Sequence, residues 1–326
     1  MTGDPQAWHE DLRKLRMKLI SVVTPCLNEE EDVEELYLRI KAVFQKLVGY
    51  DYEHIFADNA SNDGTVAILK RLSKQDKKVK VIVNTRNFGH IRSPIHAMFQ
   101  ASGDAVICMA SDLQDPPELI PQFVAEWEKG RKVVIGVKST SEESRILFGV
   151  RSLYYFLIKK LAEVDMVEHF TGFGLYDRQV IAILRQINDP YPYLRGLICD
   201  IGFEKSVIQY SQPRRKRGIT KNNFYTLYDM AMLGITNHSK VPLRLATFFG
   251  FFTASISLLV GLFYLTYKLF YWYNFEVGMA PLVIAIFFFA AVQLIFLGII
   301  GEYVGSIHTQ VQKRPLVVEK ERINFD

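Results

Sequence analysis

At 326 residues, 49% hydrophobic and 23% charged, the chain is long enough for a sizeable α/β domain and something more. Its net charge of +4 is too small to argue for nucleic acid, and the basic residues are clustered rather than spread. Cys26, Cys108 and Cys199 fit no metal or disulfide spacing and read as reduced core residues on the cytosolic side. Residues 1–18 are charged and lack the apolar core of a signal peptide.

Residues 19–24 (LISVVT) read as a first strand, and 30–48 as a helix with acids in its first turn. A second strand at 52–57 runs into the polar stretch DNASNDGT; a helix at 66–72 then leads to a third strand at 79–83. The loop from Asn84 to His90 precedes a helix near 91–101. Residues 105–110 form a buried fourth strand, broken by Ser111-Asp112-Leu113-Gln114-Asp115 and a Pro-Pro pair that can open a helix. A fifth strand falls at 133–137. Such strand–helix alternation means a parallel, doubly wound α/β sheet.

In that fold the loops after the strands share one crevice at the C-terminal sheet edge. Pro25, Asn28 and Glu29 follow the first strand, Asp58 the second and Asn87 the third; Asp112, Gln114 and Asp115 follow the fourth. Their oxygens suit a hard divalent cation, Mg²⁺ or Mn²⁺, completed by diphosphate oxygens and water. Asp115, directly before Pro116, reads equally as a helix cap. Neither GxxxxGK[ST] nor GxGxxG occurs, which excludes a P-loop and an ordinary dinucleotide site.

Beyond the sheet, residues 144–162 read either as an interfacial helix or as a core helix with one wet edge. In the interfacial case Lys138, Arg145 and Arg151 are candidates to hold a lipid phosphate. PRRKRGITK at 213–221 carries five cations in nine residues, suited to a loop closing over a diphosphate or to anionic headgroups. A helix at 224–237 leads toward the bilayer surface. Residues 245–267 and 277–301 contain no charge and are long enough to be two transmembrane helices. Lys240, Arg244, Lys313 and Arg314 at their outer ends place both termini in the cytoplasm, making a multi-pass protein of the cytoplasmic (inner) membrane.

TPCLNEEE, DNASNDGT, RNFGH and SDLQDPPE, in that order and spacing, resemble the inverting family-two glycosyltransferases of GT-A fold. The nearest branch is the membrane-bound polyprenyl-phosphate hexose synthases, which include bactoprenol glucosyltransferases and dolichol-phosphate mannose synthase. The resemblance implies a nucleotide-sugar donor, with Pro25, Glu29 and Asp58 around the nucleoside and Asp112 and Gln114 around the metal. It also implies that Arg217 and Lys221 contact the diphosphate. Three positions depart from the family pattern. Ala110 stands where an Asp is usual, Thr171-Gly172-Phe173-Gly174-Leu175 replaces GDFRL, and Cys199-Asp200 replaces an aromatic.

The expected organisation is a GT-A domain at 1–221, an interfacial segment at 222–244, the two spans within 245–301, and a cytoplasmic tail at 302–326. The expected reaction moves a hexose from a nucleotide sugar, UDP-linked, to a polyprenyl phosphate at the cytoplasmic leaflet. Alternatives are a silent nucleotide-sugar-binding scaffold and a transferase with a hydroxyl acceptor. A processive polysaccharide synthase is excluded by the absence of QxxRW, Trp occurring only at positions 8, 127 and 272. Paired apolar spans leave homo-oligomers open.

Overall fold

The computed structural model describes residues 17–139, 167, 169–213, 239–271 and 279–325. The chain divides into two compact units. One holds Met1–Ser152, Met166–Asn222 and Lys313–Asp326; the other holds Leu153–Asp165 and Asn223–Gln312.

The first unit is built on an eight-stranded sheet. Its first half alternates β1 (Lys18–Cys26), α1 (Val33–Lys46), β2 (Tyr50–Asp58), α2 (Thr65–Gln75), β3 (Val79–Asn84), α3 (Gly89–Gln100) and β4 (Ala105–Cys108). Then come α4 (Ile120–Glu128), β5 (Val133–Lys138), β6 (Phe170–Asp177), α5 (Arg178–Ile187), α6 (Leu194–Asp200) and β7 (Lys205–Tyr210). The strand order is β7-β5-β6-β4-β1-β2-β3-β8, where β8 is Glu319–Ile323. β4, β1, β2 and β3 run parallel, as the alternation predicts.

Strand periodicity divides the core between the two faces. Ile20 and Val22 pack with Leu36, Ile40 and Phe123, whereas Val23 packs with Ile95, Met98 and Ile181.

The sheet departs from the fully parallel expectation in two places. β6 inserts between β4 and β5 and runs antiparallel to both. It fits because Gly174 has no side chain: a Cβ there would lie 2.5 Å from the Val134 carbonyl oxygen. At the other edge, part of the stretch read as a tail forms β8, antiparallel to β3. Thr85 N–H donates to the Val318 carbonyl, and Asn324 Nδ2 donates to the carbonyls of Ser73 and Val79.

In the second unit, α7 (Val241–Phe270) and α8 (Met279–Val311) are long and apolar enough to cross a membrane. Both outrun the uncharged stretches read from sequence, because a helix needs only its own backbone bonds and continues past Arg244, Lys268 and Glu302. Along α7 the hydroxyls of Thr247, Thr253, Ser257 and Thr266 donate to carbonyls four residues earlier. That satisfies them without water, as a bilayer requires. The expected helices at 144–162 and 224–237 lie outside the described residues.

One buried carboxylate ties the sheet centre together. Glu53 on β2 accepts from Ser21 Oγ at 2.5 Å, Ser102 N–H at 2.7 Å and Ser102 Oγ at 2.8 Å, and pairs with Lys80 at 2.6 Å. Burial alone would raise its carboxyl, but the bonds from Lys80, Ser21 and Ser102 outweigh it and hold the group below its usual range. A depressed carboxyl stabilises the fold above its unfolded value, about 4.3, and the contribution disappears as pH falls through the folded value. Glu53→Gln is expected to cost about 3 kcal/mol at neutral pH. In thermal melts of the detergent-solubilised protein, the gap to wild type should close below about pH 4.

Candidate active site

The loops at the C-terminal sheet edge are held in backbone conformations that side chains rarely adopt. Asn28, Ala60 and Leu113 have φ of 56°, 65° and 58°, and Gly89 and Gly172 have φ of 87° and 103°. For the non-glycine residues Asn28, Ala60 and Leu113 this conformation is uncommon and is held by the surrounding loop structure.

The first two loops are knitted to each other. Asn28 N–H donates to Ser61 Oγ at 2.9 Å, and Asn62 N–H returns a bond to Asn28 Oδ1 at 2.8 Å. Glu29 N–H reaches Thr65 Oγ1 at 2.9 Å. Asp58 is fully buried and accepts from the Ser61 N–H at 3.0 Å and its hydroxyl at 2.5 Å. Burial raises its carboxyl, against the opposing pull of those two bonds. Asn87 Oδ1 accepts from Asn59 Nδ2 at 2.7 Å and from Gly89 N–H at 2.8 Å, which shapes the turn into α3.

The loop after β4 works differently. Leu113 in its left-handed conformation turns inward and is buried, while its neighbours Asp112 and Gln114 stay half-exposed. Asp112 Oδ1 accepts from Gln114 N–H at 3.2 Å. Gln114 Nε2 lies 3.4 Å from the Pro213 carbonyl, where the basic stretch begins. Asp115 is 6% exposed, and both its oxygens are engaged inside the fold. Oδ2 accepts from Ala110 N–H at 3.0 Å and Oδ1 from Tyr210 Oη–H at 2.8 Å. It therefore braces the loop against β7, a role neither the helix-cap nor the metal reading of the sequence foresaw. Burial raises its carboxyl, with the Ala110 and Tyr210 bonds opposing.

These loops open on a cavity of about 270 Å³. Of the residues singled out in the sequence, Pro25, Asp112, Gln114, Asp115 and Lys138 line it. Asn28, Glu29, Asp58 and Asn87 lie outside that lining and build the neighbouring loops. Arg145, Arg151, Arg217 and Lys221 fall outside the described residues. His169 precedes β6, and Asp200 ends α6 in solvent; neither lines the cavity. His90, Thr171, Tyr193, Arg195 and Gln212 line it too, and sequence reasoning assigned them no role. His90 and Thr171 lie in stretches quoted from the sequence, whereas Tyr193, Arg195 and Gln212 are single residues outside any motif.

Asp112 fits a hard divalent cation. It lines the cavity, half-exposed, with its Oδ1 accepting from Gln114 N–H. Among the described residues no three His, Cys, Asp or Glu side chains cluster as a metal cage. A single carboxylate whose partners would be ligand oxygens and water is the way Mg²⁺ is ordinarily held.

The mostly parallel sheet, with a polar cleft after its central strands and an acidic loop after β4, has the GT-A arrangement. The Glycosyl transferase family 2 model matches residues 21–184. The SfII prophage-derived bactoprenol glucosyl transferase of Shigella flexneri is 34% identical over 303 residues, covering 93% of this chain and 97% of that protein. Glycosyltransferase YkcC of Bacillus subtilis is 32% identical over 308 residues, 94% of each. Among solved structures, glucosyl-3-phosphoglycerate synthase of Mycobacterium tuberculosis aligns with a TM-score of 0.47 at 19% identity, over 72% of this chain and 82% of that one. The chain belongs to glycosyl transferase family 2 and is a glycosyltransferase.

Tyr210→Phe removes the donor that steadies Asp115 and leaves a buried carboxylate oxygen without it. The expected loss is about 1–3 kcal/mol in chemical denaturation, with Asp112→Asn, on the open side of the loop, costing under about 0.5 kcal/mol.

Proposed function

We propose that the protein transfers a hexose from a nucleotide sugar to a polyprenyl phosphate at the cytoplasmic face of a membrane, with inversion. The observation that carries this reading is one cavity lined by Asp112 and Lys138, in a chain that also holds two helices of membrane-spanning length. The relatives named bactoprenol glucosyl transferase over nearly the whole chain support it. In this reading Asp112 and Gln114 hold Mg²⁺ or Mn²⁺, which when bound offsets charge on the donor's diphosphate. Arg217 and Lys221, which lie outside the described residues, are assigned to the same diphosphate by the family resemblance. Pro25 lines the cavity on the donor side, and Glu29 and Asp58 shape the loops that receive the nucleoside.

The acceptor needs no side-chain base. A phosphate monoester with a second pKa of about 6 is already largely a dianion at neutral pH and can attack the anomeric carbon directly. Catalysis then rests on positioning and on stabilising the leaving diphosphate. A hydroxyl acceptor would instead require a base in reach.

The test is a screen of radiolabelled nucleotide sugars against undecaprenyl phosphate with the purified full-length protein, reading the labelled lipid. Asp112→Asn should lower turnover about 10²-fold or more. Asp200→Asn and His169→Ala should keep a pH profile parallel to wild type between about pH 7 and 8. A loss of about 10³-fold in either, with donor binding intact, would assign a base and a hydroxyl acceptor. No product with any donor would leave a nucleotide-sugar-binding scaffold.

Topology gives a separate check. Cations flank the outer ends of both apolar stretches. Tags at Met1 and Asp326 should resist protease added outside sealed spheroplasts, and a cleavage site placed beside Tyr273 should be cut. A tail cut from outside would remove the two-span arrangement.

A further inference from the structure

β6, which lies between β5 and β4, brings no charge to the cavity lining. β6 enters with Thr171, Gly172, Phe173 and Gly174, and Gly174 has no space for any side chain. Two cationic residues contact the backbone at the start of that strand. Lys138 ends β5, and its N–H approaches the His169 carbonyl at 3.5 Å. Arg195, in α6, has Nη1 3.5 Å from the Phe170 carbonyl and its guanidinium 5.0 Å from the centre of the Tyr193 ring. Both side chains line the cavity, together with Tyr193 and Leu194.

The sheet order fixes where this pair sits. Asp112 follows β4 and Pro25 is the last residue but one of β1, whereas Lys138 ends β5, with β6 between β5 and β4. Two strand spacings separate β4 from β5, about 10 Å. That leaves room for a sugar between an anion held near Asp112 and one held near Lys138. A guanidinium, planar and always charged, matches phosphate oxygens with paired donors, and stacking on an aromatic ring limits the freedom it must lose.

We propose that Arg195 is a phosphate-binding residue, acting with Lys138 on the β5–β6 side of the cavity, and that the group it holds is the acceptor's phosphate monoester. This rests on the polyprenyl-phosphate reading for the identity of the acceptor. It supplies a cation from a neighbouring helix at a place where the strand itself carries glycine.

The experiment uses binding as well as turnover. Full-length wild type, Arg195→Ala, Arg195→Lys and Arg195→Gln are titrated in detergent with farnesyl phosphate, with farnesol and, separately, with UDP plus Mn²⁺. Removing a hydrogen-bonding charge from a phosphate should weaken farnesyl phosphate binding about 10-fold or more in Arg195→Ala. Arg195→Lys should fall between, while farnesol and UDP affinities stay within about twofold of wild type. A purely structural role would move farnesol binding equally. Thermal melts identify a variant that fails to fold, and Arg195→Lys and Arg195→Gln then carry the comparison. Unchanged farnesyl phosphate binding in all folded variants overturns the proposal. So does weakened UDP binding with farnesyl phosphate untouched, which would move Arg195 to the donor's diphosphate. Wild type that binds no farnesyl phosphate overturns it as well. If wild type binds farnesyl phosphate through Arg195 yet transfers no sugar to a polyprenyl phosphate, the reaction fails and the phosphate site stands.

Discussion

Much of the site depends on one buried carboxylate. Asp115 sits at the bottom of the β4 loop with its oxygens committed to Ala110 N–H and Tyr210 Oη–H. An ionisable group taken out of water is costly unless it is hydrogen-bonded, so this loop is tolerated only with both partners in place. With them, the last turn of β4 is fastened to β7 across the strands that lie between. Leu113 is then forced inward through a left-handed turn, and Asp112 and Gln114 are left facing the cavity. The acidic residue of greatest chemical interest is thus aimed by its neighbour three positions on.

The same logic runs along the rest of the sheet edge. Side chains that look like ligands in the sequence are largely spent on each other. Asn59 accepts from Phe88 N–H and Asn84 Nδ2 and donates to Asn87, tying the loops after β2 and β3. Rigid loops of this kind hold a ligand site open before anything enters it, which lowers the cost of ordering it on binding.

How much was legible follows from what each element shows on its surface. β1 to β5 are buried runs such as Ile20–Val22–Val23 and Val133–Val134–Ile135, and apolar runs are what sequence reading detects best. β6 hid behind its glycines, whose meaning is a close backbone approach visible only in three dimensions. β7 and β8 are half-exposed, and EKERI pairs through backbone bonds that no side-chain pattern announces. Pro25, Asp112 and Gln114, singled out because a polar step ends an apolar strand, and Lys138, singled out as a lipid-phosphate candidate, all line the cavity. Asn28, Asp58 and Asn87 drew the same reading and build the loops beside the cavity, since residues that make tight turns are also the residues that bind ligands. Arg195 is a single cation in a short helix and became visible only through what surrounds it.

The edge strand β8 also sets an order of events during synthesis. β3 ends at Asn84 and its partner begins at Glu319, so roughly 230 residues must leave the ribosome before the pair can form. At ordinary elongation rates that interval is about 10–50 s. Through all of it the outer backbone groups of β3 lack the strand that pairs with them in the finished fold, a template for joining another chain. Both long apolar helices emerge within the same interval. Those helices therefore emerge before the sheet edge can be sealed, and a chain stalled in that interval carries two separate hazards, bare apolar helices and an open strand edge.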